Sequence, residues 1–289
     1  MYVGGNDHGR IGRKPHYGRR GNPHPGGEDS NGSSSAAATD DQSWEKVESV
    51  GTLVLGLDDA FPPMGYKDTE TGDIIGFDID IAKEVCSRLG IELKLQPIDW
   101  NNKQSELENG NVDCLWNGFS KTPERDEQFN LSIPYMKNEQ IILVKTDSDY
   151  QTLEDLAGKT IGVQADSSAE SALEAEENKE FKDSLGEIVK IEDYAMAVLE
   201  IQNGTIDAIS IDEVVARFYL NNDPDAYRIL SDSDGNALSL ATEDYVIGFR
   251  KSDNALKEKV EEALREMSSD GTMKTISEKW FGEDVTTVE

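Results

Sequence analysis

The chain has 289 residues, about two domains' worth of length, with 36% hydrophobic and 30% charged side chains. Its 58 acidic and 28 basic residues give a formal charge of −30, which repels phosphate backbones and anionic headgroups and argues against nucleic-acid or membrane-surface binding as the main task. No run approaches the roughly 18 apolar residues of a membrane-spanning helix.

The first 40 residues are rich in Gly, Ser, Asn, His and Pro and lack apolar periodicity. We read residues 1–42 as a leader, tag or disordered tether without the apolar core of an intact signal peptide. Arg10, Arg13, Lys14, Arg19 and Arg20 face Asp7, Glu28, Asp29 and Asp40 there, a net +1, which leaves −31 on residues 41–289. His8, His16 and His24 also lie in this stretch, so the body is without histidine, which removes His-dependent triads and His-ligated zinc. No metal or other cofactor is expected.

From Gly51 the pattern becomes globular. Thr52–Leu57 predicts a strand, and 58–76 contains turn formers, including Pro62-Pro63 and Thr71-Gly72. Apolar Ile79, Ala82, Cys86 and Leu89 at helical spacing, then Gly90, predict a helix over 77–89. Strand 91–97, helix 102–109 and strand 112–116 follow. The alternation continues with strand 159–163, helix 168–176, strand 188–191, helix 195–203, strand 208–211 and helix 213–219. Strand 244–249 and helices 255–268 and 273–280 close the chain. Such alternation implies an α/β protein with mostly parallel sheets.

Two units of similar plan emerge, the second inserted into the first. The expected division is 43–138 plus 243–289 for lobe 1 and 139–242 for lobe 2. The extended stretches 138–145 and 241–250 are candidates for the crossings between them. Ligands of open α/β sheets bind beyond the carboxyl ends of the strands, so the strand-to-helix turns are the places to search. Cys86 and Cys114 form no metal motif; a disulfide and two buried thiols are both compatible with them.

Three turns stand out. In VDCLWNGFSKTPER (112–125), Thr122 suits an N-cap, Pro123 the first helical position, and Arg125 the first turn. Unpaired N–H groups and a guanidinium there could clamp a carboxylate, with Gly118 permitting close backbone approach. The same spacing also describes a well-capped helix whose Arg pairs with a surface acid. In TIGVQADSSAE (160–170), Ser167 and Glu170 form a capping box, and Ser167 and Ser168 could also bind an anion. In AISID (208–212), Asp212 is either an ordinary N-cap or an anionic partner for an ammonium group. Phe61, Trp100 and Trp116 sit near strand ends and suit either core packing or a ligand sandwich; Trp280 and Phe281 read as packing residues.

At these residues the chain resembles the amino-acid-binding extracytoplasmic solute receptors of bacterial ABC transporters. The signatures run in order through DDAFPPMGY (58–66), GFDIDIA (76–82), GFSKTPER (118–125) with SIPY (132–135), LAGKTIGVQ (156–164), IDAISID (206–212) and GTMKTISEKWF (271–281). The resemblance implies a two-lobed, type II periplasmic-binding-protein fold. Each lobe would be a mixed, mostly parallel sheet flanked by helices, and two hinge strands would join them. It implies a non-catalytic, monomeric receptor that closes around a free L-amino acid and serves a membrane permease from outside the cytoplasm, either in a periplasm or as a lipoprotein. By position it implies that Arg125 binds the ligand carboxylate, aided by Gly118, Ser120, Ser167 and Ser168. Asp212 would bind the α-ammonium. Phe61 and Trp100 would wall the side-chain pocket, and Asp58 and Gln164 would read the side chain. Asn117 and Asp166 depart from the commonest pattern and leave side-chain preference open among glutamine, basic amino acids and cystine. An enzyme of the same fold, a dehydratase or lytic enzyme, would need a general acid such as Asp58 or Glu170. A sensory module would share the ligand chemistry without transport.

Overall fold

The computed structural model describes residues 41–289. The leader read over 1–42 lies outside the described residues except for its last two positions. Those two, Asp41 and Gln42, already belong to the fold, and the Gln42 carbonyl accepts from the Lys46 N–H at 3.0 Å. Asp41 and Ser43 cap the helix Asn254–Ser269, accepting hydrogen bonds from the backbone N–H groups of Ala255 (2.7 Å) and Leu256 (3.0 Å). An unforeseen helix, Ser43–Val50, buries Val47 next to this contact.

Among the described residues the main sheet has ten strands, eight of them in one path, with the short strands Asn130–Leu131 and Tyr227–Ile229 paired beside it. The eight are β1 (Thr52–Leu57), β2 (Glu92–Pro97), β3 (Cys114–Ser120), β4 (Met136–Lys145), β5 (Thr160–Gln164), β6 (Glu187–Ile191), β7 (Ala208–Asp212) and β8 (Ser239–Phe249). Their order is β6-β5-β7-β4-β8-β3-β1-β2. Parallel pairs lie at both ends: β2 and β3 flank β1, and β6 and β7 flank β5. The centre is antiparallel. There β4 pairs with β7 and β8, and β8 pairs with β3. Asn138 stands opposite Glu243, and Lys137 opposite Asp244.

This order explains the two lobes. Each has a parallel core of three strands, and β4 and β8 run between the cores as the joining strands. Helices cover both faces, which is why β3 and β7 are buried along their whole length. The edge strand β2 instead exposes Glu92 and Lys94. One apolar cluster joins β1 to the helix Phe77–Leu89 and the two C-terminal helices, and continues beneath the helix Tyr194–Asn203. Two smaller clusters fill the opposite faces, around Trp100, Leu107 and Phe119 in lobe 1 and around Ile161, Val163 and Leu173 in lobe 2.

Cys86 and Cys114 are both buried free thiols. Trp280 donates its indole N–H to Asp80 (2.8 Å), and the Phe281 ring meets Phe77 at 5.0 Å, so both serve packing. Trp116 is fully buried and packs against Tyr135.

Candidate functional site

The carboxyl ends of the parallel strands from both lobes face one another. Between them lies a narrow cavity of about 10 Å³, room for little more than one water, lined from lobe 1 by Asp58, Phe61, Trp100, Asn117, Gly118 and Arg125, and from lobe 2 by Gln164, Ser167, Ser168 and Asp212. Ser120 stands immediately behind it, its hydroxyl accepting from Ser168 Oγ at 3.1 Å. Eleven residues scattered from 58 to 212 thus meet in one place.

The clamp turn folds as its sequence dictates. Thr122 caps the helix Pro123–Gln128, accepting from the Arg125 N–H at 3.2 Å. Arg125 is 7% exposed, and its guanidinium stacks 4.3 Å from the Phe119 ring centroid. Nη1 donates to the Ser120 carbonyl (2.9 Å), and Nη2 reaches the Asp166 carbonyl of the other lobe at 3.5 Å. Among the described residues no carboxylate lies within ion-pair distance of Arg125. Burial lowers its pKa, against which the charges of Glu243, Asp166 and Asp212 act.

Gly118 has a geometric task. Its φ is +55°, and a Cβ there would come 2.6 Å from the Phe61 ring and 3.2 Å from Tyr245. Its N–H is already bonded to buried Asp78 (2.7 Å), which also accepts from Tyr135 (3.0 Å). Glycine here makes room for the aromatic wall.

On the other lobe, Ser167 accepts from the Glu170 N–H at 3.1 Å. The Glu170 carboxylate reaches one residue beyond a standard capping box, to the Asp166 N–H at 2.7 Å, where Asp166 holds a left-handed φ of +56°. Asp212 occupies the N-cap position of the helix Glu213–Asn222, yet its side chain makes no cap bond. Instead Oδ1 accepts from Asn138 (2.7 Å), Gln140 (2.9 Å) and Tyr245 (2.7 Å), all on β4 and β8. Burial first, then the nearby Glu243 carboxylate, raises the Asp212 pKa.

The lobes touch across the cavity. Gln164 donates to Asp58 at 2.6 Å. Burial raises Asp58 to about 6, opposed by bonds from Ala60 and Gln164. Lys103, which is 4% exposed, donates to the Asp166 carbonyl (2.9 Å) and ion-pairs with the Asp166 carboxylate. Burial, then the charge of Arg125, lowers Lys103 to about 8. Phe61 meets Tyr194 at 5.8 Å, and Tyr66 meets Phe218 at 5.3 Å. Outside Arg125 and Ser168 an open groove carries Glu124, Asp166, Glu170, Glu174, Glu176, Glu177 and Glu243 against Lys121 and Lys190.

Lys103, Asn138, Gln140, Glu243 and Tyr245 escaped the sequence reading. Lys103 looked like one face of a short helix, and the others lie in strands read only as connectors. Among the described residues there is no cluster of His, Cys, Asp and Glu fit to hold a metal ion.

A small buried cavity with a guanidinium on one wall and a carboxylate on the other, between lobes joined by two strands, defines a binding protein of the type II periplasmic class. The chain belongs to the bacterial extracellular solute-binding proteins, family 3, whose model matches residues 53–283. It is 33% identical to the arginine-binding extracellular protein ArtP of Bacillus subtilis, over 79% of this chain and 86% of that one. It is 29% identical to the L-cystine-binding protein TcyJ of Escherichia coli, over 88% of this chain and 92% of that one. Among solved structures, an ABC uptake transporter substrate-binding protein from Streptococcus pneumoniae with bound histidine superposes with a TM-score of 0.79 at 38% identity, covering 86% of this chain and 99% of that one. Tv2483 bound to L-arginine gives the same TM-score at 35% identity, covering 86% and 98%.

Proposed function

We propose that the chain is the extracytoplasmic substrate-binding protein of an ABC importer, and that it takes a free basic L-amino acid, arginine foremost, into the interlobe cleft as a monomer and presents it to a membrane permease. The observation that carries this reading is the pair Arg125 and Asp212. They lie on opposite walls of one cavity, both are buried, and among the described residues neither has an ion-pair partner. The ligand carboxylate would take Arg125 with the hydroxyls of Ser167 and Ser168. The ammonium would take Asp212. Charge-assisted bonds of this kind are worth roughly 1.5–3 kcal/mol each, and several together support micromolar affinity, about −8 kcal/mol.

Asp58 argues for a basic side chain. Its carboxylate is 8% exposed and faces an amide rather than a cation. A guanidinium or imidazolium would satisfy it, between the rings of Phe61 and Trp100. Relatives named for arginine, and structures holding arginine and histidine, support the same choice. Because the ligand would bond to both lobes, binding would favour the closed arrangement. A thermal-shift screen against the common amino acids tests the reading. Arginine should give the largest rise, and a panel with no shift would refute the assignment.

A further inference from the structure

Asp212 does not stand alone at the ammonium end. The Glu243 carboxylate, 8% exposed, accepts from the same Gln140 Nε2 that serves Asp212, at 2.9 Å in both cases. The Asn138 amide also donates to both, at 2.7 Å to Asp212 and 3.5 Å to Glu243. Two carboxylates therefore share two neutral amides, and among the described residues neither has an ion-pair partner. The three strands involved are β4, which supplies the amides, β8, which supplies Glu243, and β7, which supplies Asp212.

We propose that Glu243 is a positioning residue that holds a second carboxylate against Asp212, so that seating a ligand ammonium at this pair displaces a proton to solvent. The inference rests on the amino-acid-binding reading above. The groups facing Asp212 are Glu243 and Tyr245 from β8, Tyr194 from lobe 2 and Arg125 from lobe 1. Tyr245 donates to it, and Arg125 opposes protonation from across the cleft. Burial and Glu243 win, and the Asp212 pKa is raised. Two like charges in a buried site resist joint ionisation, and a bound proton relieves them. An ammonium group relieves them equally well. When it arrives, the carboxylic acid gives its proton to the buffer and the N–H groups take its place. The sign follows: affinity is highest in neutral to mildly alkaline solution and falls as acid protonates Asp212.

The test is calorimetry of L-arginine binding from pH 5.5 to 8, at each pH in two buffers of different ionisation enthalpy. The wild type should release up to one proton from this pair toward the acid end, and its affinity should fall at least about tenfold between pH 8 and 5.5. Glu243→Gln should release markedly fewer protons and flatten the profile. Asp58 also titrates with a raised pKa, but it is common to both proteins, so the difference isolates Glu243. If Glu243→Gln does not fold, the proton count of Asp58→Asn decides in its place, and release should persist there. Wild-type binding without proton release, or an unchanged profile in Glu243→Gln, overturns the proposal. Loss of all amino-acid binding at pH 8 in the wild type overturns the functional reading and the proposal with it.

Discussion

The two lobes bring their site residues in different ways. Those of lobe 1 are held mainly by lobe 1: Asp78 fixes Gly118, Thr122 caps the helix that carries Arg125, the Ser120 carbonyl holds the guanidinium, and Asn117 accepts from the Asp58 N–H at 3.2 Å. Those of lobe 2, Ser167 excepted, lean more on the other lobe or on the crossing strands. Gln164 donates to Asp58, Ser168 to Ser120, and Asp212 is held from β4 and β8. In the proposed reading lobe 1 would be a preformed half-site that lobe 2 completes by closing. Binding energy would then divide unequally, with affinity set mostly by lobe 1 and retention by the contacts between lobes.

The largest effect should come from the lobe 1 clamp. Arg125→Ala should weaken amino-acid binding at least about tenfold, because it strands a ligand carboxylate in a buried site. Ser168→Ala, its counterpart in lobe 2, should cost only a few-fold. Equal losses in isothermal calorimetry would break the asymmetry. Next, Asp58→Asn should lower affinity for arginine about tenfold and leave glutamine nearly unaffected, read as a ratio of dissociation constants.

A smaller effect concerns retention. Asp166→Asn removes the charge that Lys103 meets across the cleft, on a residue whose side chain is largely exposed, so folding should be preserved. Ligand dissociation in stopped-flow fluorescence should accelerate several-fold, with little change in association. Because Lys103 is lowered to about 8, the ion pair is intact below that pH and is lost as pH rises through it. Wild-type dissociation should therefore quicken above pH 8, and Asp166→Asn should lack that rise. The smallest effect is steering. The outer groove carries five of its acids on lobe 2: Asp166, Glu170, Glu174, Glu176 and Glu177. Association of arginine should slow modestly as salt rises from 10 to 150 mM, roughly from a 30 Å to an 8 Å screening length, while that of glutamine stays nearly flat.

Much of this was legible in the sequence, for definable reasons. The inner parallel strands read clearly because both faces are covered and their apolar runs are nearly continuous. Thr122-Pro123 and Ser167-x-x-Glu170 announced helix starts because capping chemistry is local. The apolar pattern predicts a third strand over 112–116, whereas β3 runs from Cys114 to Ser120. Asn117 and Gly118 line the cavity and Ser120 stands just behind it, and all three interrupt the apolar pattern, so the pattern fails at the candidate site. The helix Ser43–Val50 was missed because its stability comes from packing on Asn254–Ser269, not from its own periodicity. Residues 58–76, read as turns, hold a small three-stranded sheet of Ala60–Phe61, Gly65–Lys67 and Ile74–Ile75. Glu243 was invisible for another reason. Its importance lies in a neighbour from a distant strand, and no local signal records that.

The central claim is that one small molecule is gripped by its carboxylate from Arg125 while Asp212 holds its amine. The most direct measurement is calorimetry of L-arginine and of agmatine, which lacks the carboxylate, on wild type and Arg125→Ala. The account predicts strong preference for arginine in the wild type and loss of most of that preference in the variant. An Arg125→Ala protein that still prefers arginine by the wild-type margin would contradict it.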